Sequence, residues 1–419
     1  MSALNHQNLA GETVVVGSET RTVGPKIGSG AEGTVYRLEG PKESVVKVFN
    51  PDCRAEKADK VRAMVQPENR PRDRTYEQEG VRSIIWPQEV VEDNSGRFLG
   101  YKMPEKDLDE ALDALSYAMF ELTWDDSTQE DRLMVAYNLA FQVYEIHEQE
   151  HAIGDYNHEN IFINEGFVTL IDCDAFHINT ETTTYDDDTY FPRYSPPEKR
   201  PDSLEEVKDA DRFCLGVHIF QLLMEGSHPF LAQGSDAATG SLQDMIQGNA
   251  FPYETSADGL EPHDGMQTKY DQLPREIRKH FTKCFDTGAK DLGWGRPSPK
   301  EWARVLGKAA GIPKEQLPGG DESNSSGATG PGEGDEWQDF DPFEDDNTPE
   351  IDDGEDTDQA TDNGDDIESN KDSWIETNPF EEDSTSTSAD DGGNTSTTTD
   401  DEDQDEMDDD WMDTDPFED

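Results

Sequence analysis

Asp155, Asn160 and Asp172 stand in one order along two short stretches, Ile153-Gly154-Asp155-Tyr156-Asn157-His158-Glu159-Asn160 and Val168-Thr169-Leu170-Ile171-Asp172. One carboxylate of such a set can orient an attacking hydroxyl and accept its proton. The amide oxygen and the second carboxylate can hold magnesium on phosphates. Upstream, Gly28-Ser29-Gly30-Ala31-Glu32-Gly33-Thr34-Val35 fits G-x-G-x-x-G-x-V. Glycines there leave a backbone hairpin with no Cβ in the way, so its N–H groups can lie on phosphates. Lys47, in Val45-Val46-Lys47-Val48, is suited to reach the α- and β-phosphates. Each feature also has a plainer use. Glycines serve ordinary turns, a strand lysine can send its head into water, and Asp and Asn cap turns. The order of all of them in one chain is what points to phosphoryl transfer.

Elements must carry these residues. Residues 13–17, 20–26, 34–38 and 44–49 are short and rich in β-branched types, and read as strands around the glycine-rich turn. A strand rather than a helix follows the glycines, unlike a dinucleotide fingerprint. A helix is expected over 55–65, a loop over the polar 66–79, and strands at 90–92 and 97–103. Beyond Pro104 the pattern turns helical. Leu133, Ala136, Leu139, Ala140, Val143 and Ile146 form a stripe over 133–147. A β-hairpin is expected at 160–164 and 168–172, and helices at 212–224, 275–285 and 299–308. Residues 311–320 mark the exit from the fold. A small β-rich part followed by a helical part is an α+β arrangement.

Charge is distributed unevenly. Residues 321–419 hold 40 acidic side chains and the single base Lys371, which is −39 of the net −62 and leaves −23 on residues 1–320. The folded part is therefore acidic too. It suits either an ordinary acidic enzyme or, as read here, a halophilic, haloarchaeal-type surface whose repulsion is screened by concentrated salt. This balance argues against nucleic acid, which needs a basic face, and against anionic membranes. Cys53, Cys173, Cys214 and Cys284 form no C-x-x-C pair, so reduced thiols are expected. The opening segment has neither a basic start nor a long apolar run. The expectation is a cytoplasmic protein that does not enter membranes.

The ordered motifs resemble those of the protein kinase superfamily (Hanks-type serine/threonine kinases) over roughly residues 20–310. The wording GDYNHEN…LIDCDAFHI, with SPPE and LLMEGSHPF, is most similar to a prokaryotic branch of it. The resemblance implies a bilobal fold, with a β-rich lobe at 20–103 and a helical lobe at 104–310, preceded by an extension at 1–19. It implies Asp155 and Lys47 as catalytic residues, and Asn160 and Asp172 as ligands of Mg2+ or Mn2+. ATP would lie against Ile27, Gly28, Gly30, Gly33, Val35, Lys47 and Met103. Support would come from Glu198 of the A-P-E-like Ser195-Pro196-Pro197-Glu198, from Asp211 bracing the catalytic loop, from Arg296 pairing with Glu198, and from Glu56 as the acid facing Lys47.

The chain departs from that pattern in places. Ile153-Gly154 replaces His-Arg before Asp155, so phosphorylation at Thr182, Thr183, Thr184 or Thr189 is not expected to act through a guanidinium there. Asn157 stands where a lysine is usual. Asp172-Cys173-Asp174 replaces D-F-G, and Asp174 is read as a surface residue rather than a further carboxylate near the metals.

The tail, 311–419, has too few apolar residues beyond 321 to offset chain entropy and is expected to be disordered. Its large apolar residues recur as W-x-[DE]-x-[DN]-P-F-E-[DE], with the pairs Trp337/Phe343, Trp374/Phe380 and Trp411/Phe417. A duplicated solubilising linker would explain the repetition. Docking motifs for a partner protein explain the retained aromatics as well. The reading is an ATP- and Mg-dependent serine/threonine protein kinase acting on protein substrates. The alternative is a pseudokinase scaffold.

Overall fold

The computed structural model describes residues 8–319, apart from 41–43, 107–110, 121–127, 187–190, 199–200, 202, 235–239, 254–258, 264 and 286–294. The chain divides into two units, 1–330 and 331–419. The second, with the tail repeats, lies outside the described residues.

Six antiparallel strands open the fold: β1 (Thr13–Val16), β2 (Glu19–Ser29), β3 (Gly33–Leu38), β4 (Ser44–Phe49), β5 (Glu89–Glu92) and β6 (Phe98–Pro104). They close a barrel in the order β1-β2-β3-β4-β6-β5, sealed by Val15 opposite Glu92 and Val16 opposite Val91. Side chains alternate across a strand, and β4 shows the consequence. Val46 and Val48 enter the barrel interior with Leu9, Val14, Val16, Val23 and Leu99. Val45 and Phe49 face the other way, into a cluster with Ala58, Val61, Phe98, Tyr101 and Met103. Lys47 falls on this second face by the same alternation. The segment expected as an extension, 1–19, thus supplies Leu9 and β1 to the sheet core.

Helix α1 (Arg54–Met64) buries Ala58, Val61 and Met64. The expected loop over 66–79 instead holds a 3-10 turn, Pro67–Asn69, and helix α2 (Arg74–Glu79). Asp73 caps α2 by accepting from the Tyr76 N–H at 3.0 Å, and Gly80 closes it in the left-handed region at φ 74°. Capping chemistry makes this helix without an apolar stripe, so periodicity did not reveal it.

A mixed helical part follows: β7 (Leu112–Asp113), α3 (Ala114–Phe120) and α4 (Gln129–Glu148). The Thr128–Asp131 capping box starts α4 one turn before its apolar stripe. Strands β8 (Ile161–Asn164) and β9 (Phe167–Leu170) form the expected hairpin. Glu165 and Gly166 turn it at φ 51° and 82°, as a two-residue hairpin turn requires. Short strands β10 (Ile178–Asn179) and β11 (Thr184–Tyr185) pair next. Helix α5 (Leu204–Leu223) begins at the Ser203 cap, eight residues before the expected apolar run. The short helices α6 (Leu242–Gln247) and α7 (Met266–Gln272) follow, and α5 is buried along most of its length against α3, α4 and α8 (Arg275–Phe285). Phe213, Phe220, Phe230, Phe281 and Phe285 interlock there. The last long helix, α9 (Pro299–Ala309), packs on α4. The four cysteines are free thiols. Among the described residues, no helix is long and apolar enough to cross a membrane.

Candidate active site

The loop carrying Asp155 is held by one carboxylate. Asp211, on α5 and fully buried, accepts from the Ile153 N–H at 2.7 Å and the Gly154 N–H at 2.9 Å. His147 Nε2, from α4, lies 2.9 Å from the same carboxylate. The two N–H donors on one buried acid fix the backbone just ahead of Asp155, and the His147 ring ties that acid to α4. Gly154 sits at φ 74°, and a Cβ there would stand 2.6 Å from His177 Cδ2. Ala152 and His177 exchange backbone hydrogen bonds at 3.0 and 2.8 Å, which fixes the main chain of His177 beside the loop. Two features therefore disfavour a side chain at position 154: the left-handed backbone and the imidazole of His177 beside it.

Asn157 Oδ1 accepts from the Glu159 N–H at 3.1 Å and caps the 3-10 turn His158–Asn160. The next link is backbone: Ile171 N–H donates to the Asn160 carbonyl at 3.0 Å, extending the β8–β9 hairpin by one step. Asn160 is thereby set beside the residue preceding Asp172. Asp155, Asn157, Asn160 and Ile171 line one small pocket. Asp172 has φ 52°, a left-handed conformation uncommon for a non-glycine residue.

Lys47 meets two acids. Its Nζ lies 2.9 and 3.0 Å from the oxygens of Asp174 and 3.3 Å from Asp172 Oδ1. Burial alone would lower the affinity of this amine for its proton. The Asp174 and Asp172 carboxylates reverse that and hold it above its ordinary value. Asp174 is fully buried, not the surface residue expected, and Tyr101 Oη donates to it at 2.5 Å. Burial would raise its pKa, yet Lys47 and the Tyr101 hydrogen bond bring it below the usual carboxylate value. Burial, then the charge of Asp174, pushes the Tyr101 phenol well up.

The expected partner Glu56 is exposed. The helix turns Lys57 inward instead, 2.8 Å from Glu32 in the glycine-rich segment. Glu56 fails because it lies off the buried face of α1. Periodicity offered a signal for Tyr101, because Lys47 and Tyr101 are directly opposed across β4 and β6 and so share a face. Nothing in the sequence pattern marks Asp174 as buried.

Around the glycine-rich turn, a Cβ on Gly28 or Gly30 would meet nothing within 4 Å, whereas one on Gly33 would stand 2.5 Å from the Val48 carbonyl. The first two glycines leave open space and the third allows strand contact. Ile27 is 46% exposed. Val35 and Ile171, both half-buried, pack against the cluster that holds Val45 and Met103. These form one apolar wall beside Lys47. Farther off, Arg296 is buried with both oxygens of Glu198 at 2.7 Å from Nη2 and with Asp209 Oδ2 at 2.6 Å from Nη1. Asp209 is a second acid that the motif reading did not include.

Among the described residues, no three His, Cys, Asp or Glu side chains converge as a metal cluster. The donor chemistry of Asp172 and Asn160 nonetheless suits a hard cation that takes its remaining ligands from phosphates and water.

No protein-family model matches the chain. Two curated proteins do, both described as protein kinase YegI: that of Escherichia coli K12 at 28% identity and that of Escherichia coli O157:H7 at 27%, each over 301 residues. The match covers 69% of this chain but 44% of each relative, so the chain spans less than half the length of the curated relatives it matches. The chain thus shows distant homology to the Escherichia coli protein described as protein kinase YegI.

Proposed function

We propose that residues 20–310 form a bilobal protein-kinase fold that transfers the γ-phosphoryl group of ATP to serine or threonine hydroxyls of protein substrates. The observation that carries this reading is the Asp211 brace. It spends a buried carboxylate on fixing the two residues before Asp155, which makes sense where Asp155 must be aimed. In this reading Asp155 orients the acceptor hydroxyl and takes its proton. Lys47 holds the α- and β-phosphates, and the open backbone at Gly28 and Gly30 lies over them. Ile27, Val35 and Met103 flank the base. Asn160 and Asp172 would hold Mg2+, which neutralises charge building on the phosphates. Arg296 and Glu198 fix the segment that receives the substrate.

The test is transfer of labelled phosphate from ATP to the protein itself and to a generic protein acceptor, at low and high salt. Wild type should transfer; Asp155→Asn and Asp172→Ala should each lose at least about a hundredfold with the fold retained. Unchanged transfer in Asp172→Ala would refute the metal assignment.

A second reading is a pseudokinase scaffold, favoured by the engagement of Lys47 with two carboxylates. Binding of ATP without transfer under all conditions would select it. In either reading the tail repeats dock a partner protein. Changing Trp337, Phe343, Trp374, Phe380, Trp411 and Phe417 to serine should then remove specific proteins from a pull-down while leaving generic phosphotransfer unchanged.

A further inference from the structure

The Lys47 cluster contains an acid that the kinase reading does not use. We infer that Asp174, rather than any residue of α1, is the carboxylate that positions Lys47 for the nucleotide phosphates, with Tyr101 fixing Asp174 in turn. The inference rests on the kinase reading for its kinetic arm only.

The geometry supports a division of labour between two acids. Asp172 is 45% exposed in its side chain, touches Lys47 with one oxygen, and is the residue a cation would claim. Asp174 is 1% exposed in its side chain and places both oxygens on Lys47. It therefore keeps Lys47 in place when Asp172 turns to a metal. Its own position is fixed from three sides. The turn Cys173–Ala175 is closed by Ala175 N–H to the Asp172 carbonyl at 3.0 Å and Phe176 N–H to the Cys173 carbonyl at 3.1 Å. Cys173 and Phe176 on either side are buried in the helical core. Tyr101, across the sheet from Lys47, donates to Asp174 Oδ1.

Helix α1 contributes charge of the opposite sign. Lys57, buried and paired with Glu32, adds its positive field at Asp174. The partner of Lys47 thus comes from the same turn as Asp172, and a shift of α1 would not disconnect it.

Asp174→Asn keeps the volume and removes the charge; Tyr101→Phe removes one hydrogen bond and should fold if the first variant does not. Three quantities are measured on the full chain: the Kd for ATP by calorimetry, kcat and KM for ATP, and acylation of Lys47 by a water-soluble N-hydroxysuccinimide ester, mapped by mass spectrometry without nucleotide. Asp174→Asn should weaken ATP binding at least about tenfold, raise KM for ATP more than it lowers kcat, and speed Lys47 acylation several-fold. Tyr101→Phe should shift each in the same direction by less. Unchanged Kd and unchanged acylation in both variants would overturn the inference. So would faster transfer in Asp174→Asn, which would make the pair an inhibitory contact. If wild type transfers no phosphate, the kinase reading fails, while Kd and acylation still decide the role of Asp174.

Discussion

Asp211 and Asp174 are both fully buried carboxylates, and the chain satisfies them in opposite ways. Asp211 accepts from the backbone of Ile153 and Gly154, with His147 as a third contact. Asp174 accepts from side chains, the Lys47 ammonium and the Tyr101 hydroxyl. The first arrangement fixes a stretch of main chain through its N–H groups and asks nothing of the Ile153 side chain. The second is a mutual side-chain arrangement, in which each member holds the position of the others. It can be rebuilt from another part of the chain, and here the acid comes from the turn after β9 rather than from α1.

Removing each acid should separate the two arrangements most clearly. Asp211→Ala leaves two buried N–H groups without their acceptor. It should cost about 3–5 kcal/mol in urea unfolding and abolish transfer along with Asp155 placement. Asp174→Asn retains an oxygen for Tyr101 or Lys47 and should cost less. Equal losses of stability in the two variants would end the comparison.

The brace should also resist a return to the commoner motif. Gly154→Arg forces a side chain at φ 74° and against His177. It should destabilise by about 1–3 kcal/mol and lower transfer rather than raise it. A more active Gly154→Arg protein would show that the imidazole is not what excludes a side chain.

Acid should strain the helical part first. His218 and His228 are buried, and burial holds both imidazoles down, to about 3. His228 Nδ1 accepts from the Phe230 N–H at 3.3 Å, a bond the protonated ring cannot accept. Between their unfolded value near 6.5 and about 3, the unfolded chain binds more protons than the folded one. Stability therefore falls as pH falls through that window, by about 1.4 kcal/mol per pH unit for each histidine. Unfolding midpoints at pH 6.5, 5.5 and 4.5 should show stability falling with pH, with a smaller slope in His228→Gln. An unchanged slope would remove His228 from the account.

These contrasts explain what could be read ahead of the structure. The Asp211 brace and the Arg296–Glu198 pair were legible because they belong to fixed spacings that the resemblance names. Strands β3 and β4, the β8–β9 hairpin and α8 were legible from alternation, turn residues and an apolar stripe. Helix α2 was not, because its ends are made by Asp73 and Gly80 and its body is polar. Strand β1 was legible as a strand over 13–17, but its closure of the barrel was not, because pairing with β5 is a contact across about 75 residues of chain that local pattern cannot express. The D-C-D triplet was misread at its third position because burial of an acid depends on where the cation is, and Lys47 lies 127 residues away.

The smallest expected effect is the sharpest discriminator between the two possible sources of an acid for Lys47. Glu56 is exposed on α1, while its neighbour Lys57 is turned inward to Glu32. If Asp174 carries the partner role, Glu56→Gln changes a surface charge on a helix that already bears Asp59 and buries two lysines. Transfer rate, KM for ATP and Kd for ATP should all stay within about twofold of wild type, as for surface substitutions away from a site. The same measurements on Asp174→Asn supply the opposite pattern. Should Glu56→Gln weaken ATP binding tenfold, α1 must rotate by roughly a residue when nucleotide enters, about 100° at 3.6 residues per turn, carrying Glu56 toward Lys47 and Lys57 away from Glu32. That rotation would break the Lys57–Glu32 pair, so Lys57→Met in the same background should then restore part of the affinity. If it restores none, the helix has not turned and the loss has another cause.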